Sequence, residues 1–188
     1  MFWINLARKI IWVIASEYLI FDIYTVKCIP SATTPTLPTG YRFDQLNDIG
    51  HIVRSDDYDI SKCVADLNVD SFCYVIFKNE ELVATCWLWR GEYYKRVRNF
   101  LPLTHREGEL TYLAVSKQHR GNNLACKLIR YATNQSEQLG FERLYSRIWH
   151  SNIPSIRSFI KADWHKFARY INVNIRFLNK SIVYTRKY

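Results

Sequence analysis

The chain has 188 residues, 48% hydrophobic and 23% charged, with a formal net charge of +9. That length suits one compact domain with a sizeable core and a short extension, and the composition is ordinary for a soluble globular protein. Five cysteines, an odd number with no C-x-x-C pair, argue against a disulfide frame or a zinc site and favour the cytoplasm. The basic residues are spread out, except that after Asp163 no acid occurs while Lys166, Arg169, Arg176, Lys180, Arg186 and Lys187 do. A solvated basic face accounts for this better than a dedicated nucleic-acid site, and a basic surface also attracts phosphorylated cofactors.

Residues Met1 to Val26 are apolar on nearly all sides. Up to Ser16 they suit a short helix, and from Glu17 to Val26 a strand. Arg8 and Lys9 precede an apolar run, Ile10 to Ala15, that is too short to span a membrane, and Glu17 and Asp22 interrupt the residues after it. The stretch Pro30 to Gly40, rich in Pro, Ser and Thr, is the best boundary. It divides an N-terminal extension and linker, 1–40, from a main domain, 41–188. Within the latter, Tyr41–Phe43 reads as a strand and Ile49–Leu67 as one or two surface helices. Phe72–Phe77 and Leu82–Trp89 read as a hairpin turning at Asn79. Glu109–Val115 is the next strand, followed by a loop and a helix that Gly140 ends. Leu144–Trp149 is a strand, and Asn152–Ala162 a helix with Asn152 as cap and Pro154 in its first turn. Ile171, Val173, Ile175 and Phe177 alternate with polar residues, and Ser181–Thr185 can pair back on them. This order implies an α/β or α+β domain with one mixed sheet flanked by helices.

One constellation carries chemistry. The strand ending Leu113-Ala114-Val115 leads through Gln118-His119-Arg120-Gly121-Asn122-Asn123 into a helix starting at Leu124-Ala125. Helix N-termini carry unpaired N–H groups and partial positive charge, which makes them pyrophosphate cradles. Gly121 lets the backbone approach closely, and Arg120 and His119 add charge.

This stretch resembles the GNAT superfamily of acyl-CoA-dependent N-acetyltransferases, whose loop is Gln/Arg-x-x-Gly-x-Gly/Ala. Asn123 stands at the second glycine. A second stretch, Asn152 to Trp164, resembles that family's Asn-x-x-Ser/Ala-x-x-x-Tyr-x-Lys-x-Gly-Phe: Asn152, Ser155 and Lys161 match, while Phe159, Asp163 and Trp164 depart. The resemblance covers about residues 41–188 and implies a GNAT-like mixed sheet. It further implies acetyl-CoA as acyl-donor substrate, held by Leu113–Val115, Gln118–Ala125, Asn152, Ser155 and Phe159, and a primary amine acceptor.

Direct attack on a thioester requires an unprotonated amine, and a carboxylate base serves that need. Glu109 occupies the strand position that often supplies it, with Glu107 in reserve. Backbone N–H groups of that strand would steady the developing oxyanion. Where the resemblance places a tyrosine acid, this chain has Phe159; Tyr170 or water can substitute, and a thiolate is a tolerable leaving group. Glu109 as a solvated strand residue, Asn152 as a cap alone and Phe159 as core remain open. The five histidines show no metal spacing. The alternative function is a non-catalytic acyl-CoA-binding regulatory module. Three placements stand open for the extension: packing on its own domain as a strand through Tyr18–Val26, burial in a homodimer, or contact with a membrane surface. Glu17 and Asp22 favour the first.

Overall fold

The computed structural model describes residues 15–29, 34–98, 100–175 and 180–188. Most of the helix expected up to Ser16, and the alternating residue Phe177, fall in segments outside these; the last two residues of that expected helix, Ala15 and Ser16, are instead in a strand.

In chain order the elements are β1 (Ala15–Lys27), β2 (Tyr41–Leu46), α1 (Gly50–Val53), α2 (Tyr58–Ser61), β3 (Ser71–Lys78), β4 (Glu81–Trp89) and α3 (Gly91–Val97). There follow β5 (Glu107–Val115), α4 (Leu124–Gln138), β6 (Arg143–Trp149), α5 (Ile153–Lys161), β7 (His165–Ile175) and β8 (Lys180–Lys187). The expected strands and helices appear in the expected order. β2, β5 and β7 start earlier or run longer than the sequence reading has them. α3 arises where that reading assigns no element: its first-turn N–H of Glu92 is capped by Asp70 Oδ2 at 3.1 Å, a residue distant in sequence.

The described strands form one eight-stranded sheet in the order β2-β3-β4-β5-β6-β1-β7-β8. Only β5–β6 among neighbouring pairs is parallel. β3 and β4 carry nearly continuous apolar runs because both their faces are covered. On one face Cys86, Leu88, Leu110 and Leu144 pack against Leu128, Ile129 and Ala132 of α4. On the other, Trp87 and Trp89 meet Ile52 of α1, Ile60 of α2 and Tyr94 of α3. This two-sided burial needs no disulfide: all five cysteines are free thiols. Burial pushes the Cys73 thiol up to about 12, as it does Cys28, which marks them as packing residues rather than nucleophiles.

The segment before residue 40 contributes an interior strand. β1 pairs antiparallel with β6 from Phe21↔Trp149 to Lys27↔Arg143, and with β7 from Ala15↔Ile175 to Thr25↔His165. Packing within the chain is thus the placement its described part adopts. Asp22, 3% exposed, fixes this strand to β7. Its carboxylate accepts from Arg169 Nε at 2.6 Å and Nη2 at 2.9 Å, and pairs with Lys166 Nζ at 2.9 Å. Burial alone would raise this carboxyl's pKa, but the Arg169 and Lys166 partners outweigh it and hold the value below the usual range.

Candidate active site

β5 and β6 pair over only three positions, Glu107↔Arg143 to Glu109↔Tyr145. Beyond Glu109 the two strands part, leaving a gap in the sheet beside Leu113–Val115. A bulge adds to the divergence. β4 and β5 slip register between Thr85 and Trp87, and Tyr112 takes φ +48°, a left-handed value that few residues adopt outside a designed irregularity. Tyr112 is 38% exposed and meets Trp89 edge-on at 5.1 Å. Nothing in the sequence pattern distinguishes it from an ordinary strand tyrosine.

At the end of β5 the chain makes one turn of 3₁₀ helix, Lys117–His119, and enters α4 through Asn123. Asn123 has φ +59° and gives α4 no side-chain cap, so the first-turn N–H groups of that helix are free of a side-chain acceptor. Gly121 has φ +86°, and a Cβ built on it would meet nothing within 4 Å. The loop therefore presents open space before an uncapped helix N-terminus, the geometry expected of an anion cradle. Gln118, Gly121, Asn122 and Asn123 are exposed, Ala125 is half-buried, and the Leu124 side chain is buried in the core.

Two of the charged loop residues are placed differently from the expectation. His119 points inward, 6% exposed, with Nδ1 bonded to the Tyr41 hydroxyl at 2.9 Å and Nε2 3.6 Å from Glu81. It joins β2 to the start of β4 rather than adding charge to the loop. Arg120 folds back: Nη2 donates to Asp59 Oδ2 at 2.5 Å and Nε to the Val115 carbonyl at 3.2 Å. Asp57 reinforces the same junction by accepting from Lys117 N at 3.0 Å. Arg120 thereby ties α2 to the loop.

The second stretch is likewise explicit. Asn152 is the cap of α5, its Oδ1 accepting from Ser155 N at 3.3 Å. Phe159 is 2% exposed and packs edge-on against Trp164 at 4.8 Å, so it is a core residue. Asp163 adopts φ +67° just past α5, where the resemblance has glycine. Both departures from glycine, Asn123 and Asp163, are thus the residue types that best tolerate left-handed backbone. Arg130 secures Asp163 by a 2.7 Å bond and reaches the Lys161 carbonyl at 2.8 Å.

Glu109 and Glu107 are now distinguishable. Glu107 has both oxygens engaged: Oε1 accepts from the Tyr145 hydroxyl at 3.1 Å and Oε2 from Thr104 N at 3.0 Å. Glu109 is 1% exposed, and its Oε2 has no hydrogen-bond partner. Arg98 Nε lies 3.9 Å from that oxygen and is itself unpartnered, while Arg98 Nη2 donates to Thr111. Burial pushes the Glu109 carboxyl above the usual carboxylate range, against the pull of Arg98 and Arg147. Arg147 sits over the rings of Phe100 and Phe21 at 4.4 and 4.9 Å. Neither arginine is marked by motif or spacing, because each arrives from a different element. Tyr170 stands at 4.7 Å from Phe100, on β7.

The loop after α3 roofs this face of the sheet. The Tyr94 hydroxyl accepts from Phe100 N at 3.1 Å and Leu101 N at 2.7 Å. Beneath Phe100–Leu103 lies a cleft of about 370 Å³ over β6, β1, β7 and β8. It was not foreseen from sequence, since its floor comes from four strands that only the fold brings together.

A family model described as "Acetyltransferase (GNAT) family" matches residues 41–162. No curated protein matches the chain. Among solved structures, a GCN5-related N-acetyltransferase from Sphaerobacter thermophilus is similar with TM-score 0.61 and 11% identity, over 98% of this chain and 56% of that one. One from Kribbella flavida gives TM-score 0.52 and 14% identity, over 86% of this chain and 60% of that one. A GCN5-related N-acetyltransferase-like protein from Streptococcus suis gives TM-score 0.58 and 12% identity, over 90% and 67%. At these identities the likeness is one of fold, and the chain spans little more than half the length of the first two.

Proposed function

Because the chain belongs to the GNAT acetyltransferase family, we propose that it is an acyltransferase that moves an acetyl group from acetyl-CoA onto a primary amine by direct attack. The observation that carries this is the parted β5–β6 pair lying beside the open Gly121 loop, with a buried carboxylate, Glu109, whose Oε2 accepts no hydrogen bond, at the root of the gap. Acetyl-CoA supplies the acyl carbon and a thiol leaving group. The chain supplies the rest. Backbone N–H groups from Gly121 to the first turn of α4 bind phosphate oxygens. The open edge of Leu113–Val115 offers backbone partners to an extended arm. Glu109 takes the amine proton, a role suited to a carboxyl that burial holds above the usual carboxylate range. As the nitrogen–carbon bond forms, the carbon–sulfur bond breaks and its electrons leave on sulfur.

Calorimetric titration of acetyl-CoA against the wild-type chain and Gly121→Glu tests the cradle. The variant places bulk and negative charge where phosphates would lie, so equal affinity overturns the reading. A second reading, a non-catalytic acyl-CoA-binding module, is favoured by one observation: Phe159 is sealed in the core, and α5 offers no tyrosine hydroxyl in its place. Turnover with any amine acceptor decides between them. The five free thiols support a cytoplasmic placement, which fractionation would test. Among the described residues no helix is long and apolar enough to cross a membrane.

A further inference from the structure

The acceptor's chemistry is written in the cleft under Phe100–Leu103. Its walls are aromatic and aliphatic: Phe100 and Leu101 from the roof, Ile23 from β1, Tyr145 from β6, Phe167 and Tyr170 from β7. At about 370 Å³ it has the size of a small-molecule site. Tyr145 links it to the candidate catalytic carboxylates: its ring lines the cleft, its hydroxyl donates to Glu107 at 3.1 Å, and it pairs in register with Glu109. Tyr94, which fastens the roof through Phe100 and Leu101, lies within the electrostatic reach of Glu109.

What the lining lacks is as informative for recognition. No carboxylate lines it, and its charged side chain is a cation, Lys187. A polyamine held there would bring a second ammonium beside Lys187, with no carboxylate in the lining to offset their repulsion and its desolvation. An amino sugar would bring several hydroxyls, for which the lining offers the side chains of Tyr170, Thr185 and Lys187, the Tyr145 hydroxyl being already given to Glu107. An aromatic ring, by contrast, exchanges water for the faces and edges of Phe100, Phe167 and Tyr170.

We propose that this cleft holds the non-reacting end of the acceptor, and that the acceptor is a primary monoamine bearing an aromatic or branched apolar group. The assignment rests on the acyl-transfer reading for its reaction but not for its binding site. The amine end points toward Glu107 and Glu109, and the apolar end lies between the roof and β7.

The test uses the full chain with three probes: 2-phenylethylamine, spermidine and glucosamine. Binding is read by saturation-transfer NMR, and turnover by thiol release from acetyl-CoA. Thr185→Trp fills the cleft from the edge strand β8, where Thr185 is exposed and lines the space. Tyr184→Trp places the same indole on the other face of the same strand, since successive strand residues alternate sides. The expected result is binding of 2-phenylethylamine and a kcat/KM at least tenfold above those of the other two amines. Both quantities fall at least tenfold in Thr185→Trp and hold in Tyr184→Trp. Turnover of spermidine or glucosamine at an equal or higher rate overturns the cleft assignment while leaving acyl transfer standing. Binding of 2-phenylethylamine that Thr185→Trp abolishes, without turnover of any amine, upholds the cleft and removes the acyl-transfer reading. Absence of 2-phenylethylamine binding to the wild-type chain overturns the assignment outright.

Discussion

Replacing Asp22 by Asn probes the join between β1 and β7. The side chain keeps its shape but loses its charge, so Arg169 forfeits two charge-assisted bonds, at 2.6 and 2.9 Å, and Lys166 a third contact at 2.9 Å. Full loss of a deeply buried pair would cost ~3–5 kcal/mol. Here the Lys166 and Arg169 side chains retain 27% and 37% exposure, and water takes up part of the lost interaction. A cost of about 1.5–3 kcal/mol results, the range for hydrogen bonds to charged groups. For a chain of this length that lowers the melting temperature by roughly 3–12 °C. The pH dependence has a definite sign. Asp22 titrates below its ordinary value in the folded state. Its stabilisation is therefore fully present above the unfolded pKa, about 4, and is lost as pH falls through the lower folded value. Calorimetric melts of the two proteins at pH 7 and at successively lower pH should show a gap that narrows below about pH 4. Identical melting temperatures at pH 7 would refute the argument that this triad anchors β1.

Other outcomes are equally direct. Glu109→Gln should lower kcat by roughly 10²–10⁴-fold, whereas Glu107→Gln, which only loosens Tyr145 and Thr104, should cost less; rates across pH with a turned-over amine check the order. In the wild-type chain activity should fall as pH drops through the raised Glu109 pKa, because a base must be unprotonated, so the acidic limb should sit above the range of an ordinary carboxylate. Gly108→Ala drives a methyl to within 2.9 Å of Leu88 Cδ1, 3.0 Å of Phe141 Cε1 and 3.2 Å of the Trp89 carbonyl; overpacking of this kind costs ~1–3 kcal/mol, and a denaturant titration should show a lower midpoint with unchanged slope. Deleting residues 15–27 removes an interior strand and its pairing on both sides, and circular dichroism should show no cooperative melt.

Local chemistry was legible where it is self-contained. Asn152 caps its own helix three residues on, Gly140 ends α4 at φ +82°, and Asn79 turns the β3–β4 hairpin at φ +53°. Each of these is decided within a short window of sequence. The Gly121 loop was legible for the same reason. Features decided by partners far along the chain were not. His119 turns inward because Tyr41 is there to bond it, and Arg120 folds back because α2 presents Asp59. The pairing of Glu109 with Arg98 depends on the path of the loop after α3, and the cleft depends on which strands end up adjacent. The Tyr, Ile and Val content of Glu17–Val26 announces a strand, but nothing in it says that the strand lies between β6 and β7.

That interior position imposes a timetable on synthesis. β1 leaves the ribosome long before the strands that flank it, and Phe21 must wait for Trp149, Thr25 for His165. Until then the apolar side chains of Leu19 to Val26 have no sheet to join. The half built from β2 to β5 can assemble earlier from neighbouring hairpins, whereas the half from β6 to β8 closes only when the first strand threads between two late ones. Pairings so remote in sequence are slow to form and leave sticky, unpaired edges in the interval. The expected consequence is a nascent chain that engages holdase chaperones through β1 until β6 and β7 have both emerged.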